Sequence, residues 1–526
     1  MKVTQVSRRR ALGLLTGSAA ALTAKRAAAA DTAPLTFAPG PYKAAAESFR
    51  QYVVPDWFRD AKFGIWAHWG PQCVPAHGDW YAHRMYEEGS RAYKSHLAEY
   101  GHPSKFGYKD IVKLWTADKL DPNYLLGLYK KAGARYFTSM GVHHDNFDLW
   151  NSKYQPRWNA VATGPKKDIV GQFQQAAQFH GLKFGVSDHL WFSYKFLAIS
   201  KAFDREGTLT GVPYDGNDPR YEDLYHDPGA VKLAFEKPVV SEEGISEAWK
   251  QRYFLRIKDM LTRYQPDLWY TDGPLSFGKA GLTLLAHHYN MSAAKNGGKA
   301  DVVYTGKNPP FAAGRNYTCD AGGCVLDLER GVAAGIMPDP WQTDTCIGGW
   351  FYDRDVTYKT PKIVIDMLVD IVSRNGNLML NFPLTNSGEL DAAEMKILGE
   401  ITAWMEVNSE AIHGTRPWKI FGAGPSTQAA GGEMNERNRK PMTAGDVRFT
   451  AKKNAVYAFV MGWPEKETLL APLGTVGPQA PGKIVNVELL GHEGRISWAQ
   501  EAGGLRVQMP AEKPCDHAVA IKATLG

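Results

Sequence analysis

A chain of 526 residues has room for one large domain and a second, smaller one, and its 44% hydrophobic content is ordinary for a globular fold. The formal net charge of +6 is modest for this length and gathers into no basic stripe or block of like charge, which argues against a nucleic-acid partner and against a charged tail. The 16 Trp side chains supply flat, half-polar surface suited to a ligand of mixed character.

Residues 1–30 read as an export signal. Ser7-Arg8-Arg9-Arg10 is a basic start, Ala11 to Leu15 opens an apolar stretch, and Ala27 to Ala30 offers a small-residue cleavage site. The paired arginines favour a twin-arginine signal over an ordinary secretory one, although Ala11 stands where a Phe is usual. The expected product starts near Asp31 and works in the periplasm or outside the cell. No apolar run reaches the roughly 20 residues that span a bilayer. Five cysteines are too few, and odd in number, for a disulfide framework; Cys319 and Cys324 are close enough to pair or to remain thiols, at a spacing unlike a zinc site.

From residue 31 to 409, apolar strands alternate with amphipathic helices. Lys62 to Trp69 reads as the first strand. A helix opened by Pro122 and closed by Gly133 leads to a second, Arg135 to Val142, which ends in His143-His144-Asp145. A helix from Asp168 to His180 precedes a third strand, Leu182 to Val186, ending in Ser187-Asp188-His189. Trp249, Tyr253, Ile257, Met260, Leu261 and Tyr264 recur at helical spacing before a fourth strand, Leu268 to Tyr270, that stops at Asp272. Val302 to Tyr304, Cys324 to Leu328, the stretch around Trp341 to Tyr352, and Leu378 to Phe382 supply four more. Eight such units predict a closed (β/α)8-like barrel with its site at the strand C-termini. From residue 410 to 526 the text changes to short strand-like runs with Gly-rich turns: Ala455 to Met461, Lys483 to Leu490, Arg495 to Trp498, Leu505 to Met509 and His517 to Ala523. This predicts an antiparallel β-sandwich.

Three groups of residues carry candidate chemistry. Asp272 and Glu329 both stand at strand ends, and two carboxylates facing one cleft are the minimum apparatus of retaining glycoside hydrolysis, although such a pair can also be an ion-pair or capping feature. Asp327, two residues from Glu329, competes for the acid role. His68, His143 and His144 gather at two strand ends and could hold zinc or bond sugar hydroxyls; the first strand reads His-Trp-Gly, not the His-x-His of a metal hydrolase. Among the tryptophans, Trp80, Trp269 and Trp350 adjoin strand-end polar residues and are candidates to stack on a sugar face.

AKFGIWAHWGPQCVPAHGDWY, GVHHDNFDLWNSKYQPRWN, KKDIVGQFQQAAQFHGLKFGV, RYQPDLWYTDG, PWQTDTCIGGWFY and SRNGNLMLNFPLTNSGEL together resemble glycoside hydrolase family 29, the α-L-fucosidases. The matches run in order from about residue 55 to 405. The resemblance implies a barrel with a C-terminal β-sandwich, no cofactor or metal, and hydrolysis of terminal α-L-fucose from a fucosylated oligosaccharide or glycoconjugate with retention of configuration. It places Asp272 as nucleophile and Glu329 as acid/base. It also places His68, His143 and His144 on fucose hydroxyls, and Trp80 and Trp350 around the sugar. Asp79 stands where members often have Glu, Gln342 where many have Glu, and Asn146 replaces a usual Gly. Two other functions compete: a metal-dependent hydrolase using His68, His143, His144 and Asp272, and a carbohydrate-binding protein without catalysis.

Overall fold

The computed structural model describes residues 34–226, 241–307, 322–426, 431–432 and 434–526. The export signal expected in residues 1–30, and Cys319, lie outside these. Eight parallel strands close into a barrel in chain order: β1 (Phe63–Ala67), β2 (Tyr136–Val142), β3 (Lys183–Asp188), β4 (Leu268–Thr271), β5 (Val303–Gly306), β6 (Val325–Asp327), β7 (Trp341–Cys346) and β8 (Gly376–Asn381). β8 returns to β1 through the register Phe63↔Leu378 to Trp66↔Asn381, which closes the ring and removes any free edge.

Several helices outside the barrel begin at side-chain caps, although Lys279–Ala293 starts at Gly278 without one. Asp121, Asp168, Ser246 and Thr360 each accept from the backbone N–H three residues on, which satisfies a donor that the first helical turn leaves open. Asp391 and Glu394 complete a reciprocal capping box at the start of Ala392–Ile412. Among the described residues no helix is long and apolar enough to cross a membrane.

After Ala392–Ile412 the chain enters two antiparallel sheets. Five strands run in the order β13 (Ile484–Leu489), β16 (Val519–Leu525), β11 (Ala455–Val460), β10 (Val447–Lys452), β9 (Arg416–Ala423). Three more run β12 (Glu467–Leu470), β15 (Gly504–Gln508), β14 (Trp498–Glu501). Side chains alternate across β11. Val456, Ala458 and Val460 join Leu470, Leu505 and Ile521 in the core of the sandwich, while Tyr457 and Phe459 join the barrel's core. Trp404 of the last barrel helix lies 6.2 Å from Phe459 and donates to Ala518 O at 2.7 Å. The centre of the five-stranded sheet is therefore buried on both faces and docked on the barrel, while the edge strand β13 keeps Val485, Asn486 and Glu488 exposed.

Sequence reading missed β9, β10 and β12, which sit in Gly- and charge-rich text. Cys324 is disulfide-bonded, whereas Cys73, Cys346 and Cys515 are free.

Candidate active site

The strand C-termini surround a cleft of about 670 Å³. β1 supplies Trp66 and, just beyond its end, His68. His143 and His144 follow β2, His189 follows β3, Asp272 follows β4, Lys307 follows β5, Glu329 follows β6, and Asp344 stands on β7. This is the face on which a barrel of this type presents its loops and its chemistry.

Asp272 is held from several directions. Its backbone N–H donates to Asp188 O at 3.1 Å, and the Trp191 indole donates to its carbonyl. Gly273 beside it has φ 132°, and a Cβ there would stand 2.9 Å from Trp191 Nε1, so the close approach of that indole requires glycine. On the side chain, Lys307 donates to Oδ1 at 2.8 Å, while His144 Nε2 and His189 Nδ1 each lie 3.3 Å from Oδ2. Lys307 also donates to Glu329 Oε2 at 2.6 Å and lies 3.4 Å from Asp344 Oδ2. One ammonium nitrogen thus bridges the two carboxylates and keeps these oxygens within about 5.5 Å, the carboxyl spacing associated with retaining rather than inverting glycosidases.

The two carboxylates titrate in opposite directions. Burial alone would raise Asp272, but the Lys307 charge and the neighbouring imidazoles of His189 and His144 reverse this and hold it well below the usual carboxylate range. Burial raises Glu329, the Asp344 and Asp272 charges raise it further, and Lys307 opposes them without prevailing. Lys307 loses charge stability to burial but regains more from Asp272, Asp344 and Glu329, so it stays an ammonium. A pair of carboxyl groups pushed apart in this way is what one ionised and one protonated catalytic group need.

His68, His143 and His144 are neutral. Burial, then neighbouring histidines, keeps His68 and His143 far below the ordinary imidazole value, and burial lowers His144 to about 4. Gln72 fixes the His143 tautomer: its Oε1 accepts from Ala82 N at 3.1 Å, so its amide donates to His143 Nδ1 at 2.7 Å and the ring proton sits on Nε2. His144 sets its Nδ1 2.7 Å from His189 O and its Nε2 3.3 Å from Asp272 Oδ2. Both ring nitrogens of His68, Nε2 of His189 and Oδ1 of Asp79 are buried without a hydrogen bond. Such groups are costly in a finished core and well suited to the hydroxyls of a polar ligand. Burial also pushes Asp79 up to about 7. Trp350 stacks on His68 with 5.2 Å between centroids, and Trp80 turns in at φ 63°. Donor atoms of His68, His143 and His189, and of His144, His189 and Asp272, lie within 4.8 Å of one another, so the geometry has room for a cation.

Of the residues singled out from sequence, His68, Asp79, Trp80, His143, His144, Asp272, Glu329 and Trp350 line this cleft. Trp269 does not. Side chains alternate along β4, so Tyr270 and Asp272 reach the cleft while Trp269 packs outward, 4.7 Å from the Tyr304 ring and 6.0 Å from His288. Asp327 is fully buried in the barrel, accepting from Gln342 Nε2 at 2.6 Å, which removes it as a rival acid. Gln342 also accepts from Tyr136 OH, and Asn146 is tied to Arg256, so both sequence departures lie in the interior and not at the sugar. His189, Lys307, Tyr270 and Asp344 were missed, although Lys307 ends an apolar strand just as Asp272 does.

A parallel barrel with paired carboxyl groups of opposed acidity and a wall of buried histidines defines a glycoside hydrolase. A family model described as "Alpha-L-fucosidase" matches residues 30–410, and one described as "Alpha-L-fucosidase C-terminal domain" matches residues 439–524. The chain belongs to the α-L-fucosidase family, glycoside hydrolase family 29. The tissue alpha-L-fucosidase of Rattus norvegicus is 28% identical over 477 residues, covering 88% of this chain and 87% of that protein. The plasma alpha-L-fucosidase of Homo sapiens is 27% identical over 498 residues, 91% of each. The solved Thermotoga maritima alpha-fucosidase in complex with fucose shares the fold, with TM-score 0.66 and 24% identity over 92% of this chain and 100% of that one.

Proposed function

We propose that the enzyme removes terminal α-L-fucose from glycans by double displacement. Asp272 attacks the anomeric carbon while Glu329 gives its proton to the departing glycosidic oxygen, leaving a fucosyl ester on Asp272 and a free aglycone alcohol. Water then loses a proton to Glu329 and attacks the same carbon, which releases fucose of unchanged configuration and restores both groups. The observation that carries this reading is Lys307, which joins Asp272 and Glu329 at 2.8 and 2.6 Å. The ammonium favours an ionised nucleophile, and its sharing keeps the two groups at the retaining distance. The buried nitrogens of His68, His143, His144 and His189 supply hydroxyl ligands, and Trp80 and Trp350 supply apolar walls. Reaction with a 2-fluoro-fucosyl fluoride should add one fluorofucosyl mass to the peptide containing Asp272, with the first-formed product of ordinary turnover α-configured by NMR. β-Fucose as first product would overturn the mechanism.

A metal-dependent hydrolase has one observation in its favour, the closeness of the donor atoms of His144, His189 and Asp272. Against it, Lys307 already occupies Asp272 Oδ1 with a full positive charge. We further propose that the chain is exported through the twin-arginine signal around Arg8 and Arg9. Replacing both arginines by Lys should hold the enzyme in the cytoplasm; normal export of that double variant would point to another route.

A further inference from the structure

We infer that the segment Met434 to Arg437, between β9 and β10 of the second domain, builds the leaving-group side of the cleft, and that Arg437 selects fucosides whose aglycone carries an anionic substituent such as a sulfate. This rests on Glu329 being the acid, because the acid touches the glycosidic oxygen and so marks where the aglycone begins.

The loop is bonded to the strand end that carries Glu329. Met434 N donates to Glu329 O at 2.8 Å, Glu436 N donates to Arg330 O at 2.9 Å, and Gly432 N donates to Val332 O at 2.9 Å. Glu436 turns inward, 3.1 Å from both Arg330 Nη1 and Lys359 Nζ, and accepts from Thr345 Oγ1 at 2.7 Å. That carboxylate is therefore spent, and it answers the charge of Arg330. Met434 and Arg437, on either side of it, line the cleft with it. Met434 leaves 62% of its surface exposed there, an apolar ledge beside the acid.

Arg437 has no salt bridge or side-chain hydrogen bond among the described residues, and neither has Arg84, the other exposed guanidinium lining the same cleft. The carboxyl groups lining the cleft are Asp79, Asp272, Glu329, Asp344 and Glu436; Lys307 lies against Asp272, Glu329 and Asp344, Arg330 and Lys359 against Glu436, and the Arg84 charge acts on Asp79, which leaves Arg437 with no carboxylate partner among the described residues. The hydroxyls of a neutral sugar can accept from a guanidinium but leave its positive charge unanswered. A sulfate presents two oxygens side by side that accept in parallel from one guanidinium fork, and its negative charge answers the fork's own.

The test is a matched pair of fucosylated disaccharides differing only in one sulfate on the aglycone sugar. The sulfated member should show about three- to fivefold higher kcat/KM in dilute buffer, the size expected of an exposed ion pair, with the ratio shrinking as salt is added. Arg437→Gln should bring that ratio to about one, Arg437→Lys should retain part of it, and Arg84→Gln should lower it. A ratio of one or less in the wild-type enzyme, or one unchanged in Arg437→Gln, would overturn the inference while leaving the fucosidase assignment intact. Failure to cleave either disaccharide or an aryl fucoside would strike at the assignment itself.

Discussion

Two clusters of buried charge in this molecule look alike in composition and differ in completeness. One lies between the domains. Asp370, on the helix Pro361–Ser373, meets Arg448 Nε at 2.5 Å, Arg374 Nη2 at 3.1 Å and Arg439 Nη1 at 3.4 Å. Arg374 and Arg448 place every remaining nitrogen on a backbone carbonyl, and Arg374 lies 3.8 Å from the centre of the Phe421 ring. The other is the cleft, where Asp272, Glu329, Asp344 and Lys307 are similarly close, yet His68, His189 and Asp79 keep buried polar atoms without a bond. Buried charge alone thus says little about function. A network that leaves only Arg439 Nε without a hydrogen bond among the described residues holds two bodies together, and one with several open valences on a cleft is built for a ligand.

The contrast is sharpest in how the clusters fail. Asp272→Ala should cost about 10⁴-fold or more in turnover with little loss of melting temperature, because the proposed mechanism makes this group the nucleophile. Azide should restore part of the activity and give a fucosyl azide of opposite anomeric configuration; near-normal turnover in the folded variant would end the assignment. Glu329→Ala should cost about 10²–10⁴-fold on fucosylated glycans and far less in the first step with nitrophenyl fucosides, whose leaving group departs without a proton. The wild-type profile should fall on its basic side as the raised Glu329 carboxyl ionises, and the variant should lose that limb. Equal slowing of both substrates with an unchanged profile would move the acid role to Asp79.

The inter-domain cluster should behave in the opposite way. Asp370→Asn leaves three arginines facing a neutral amide and should cost about 3–5 kcal/mol of stability, with kcat of the folded fraction preserved. Burial would raise the Asp370 carboxyl, but Arg448, Arg374 and Arg439 hold it below its ordinary value. Its contribution is therefore complete above the unfolded carboxylate value near 4 and is lost as pH falls through the depressed one. Denaturation curves of the variant should lack that acid-side decline; a wild-type melting temperature at neutral pH would refute the role. The smallest effect is expected from prolonged chelation, which should leave activity unchanged, with no stoichiometric zinc by elemental analysis. Reversible loss restored by zinc would favour the metal hydrolase.

The barrel was legible because each strand is a short apolar run that ends abruptly in polar residues, and the helices between them begin at readable caps. The residues on the cleft were legible where they followed such an ending: His68, His143, His144, Asp272 and Glu329. Trp269 misled because nearness to a strand end does not say which way a side chain points, and alternation turns it away from the cleft. Lys307 obeyed the same strand-end rule but was passed over, since a lone lysine suggests no chemistry until two carboxylates are seen to share it. Glu436 was beyond reach. It meets Arg330 across 106 residues of intervening chain, from a stretch whose Gly and charged residues read as loop.

The backbone rungs from Met434 and Glu436 to Glu329 and Arg330 also bear on how this architecture can be recombined. A chimera that joins the barrel to a foreign sandwich at the end of Ala392–Ile412 would keep every strand of the barrel. It would still exchange the segment against which the Glu329 strand end is bonded. Modules of this kind travel as a pair, and a crossover point that respects the chemistry must take the β9–β10 loop along with the barrel.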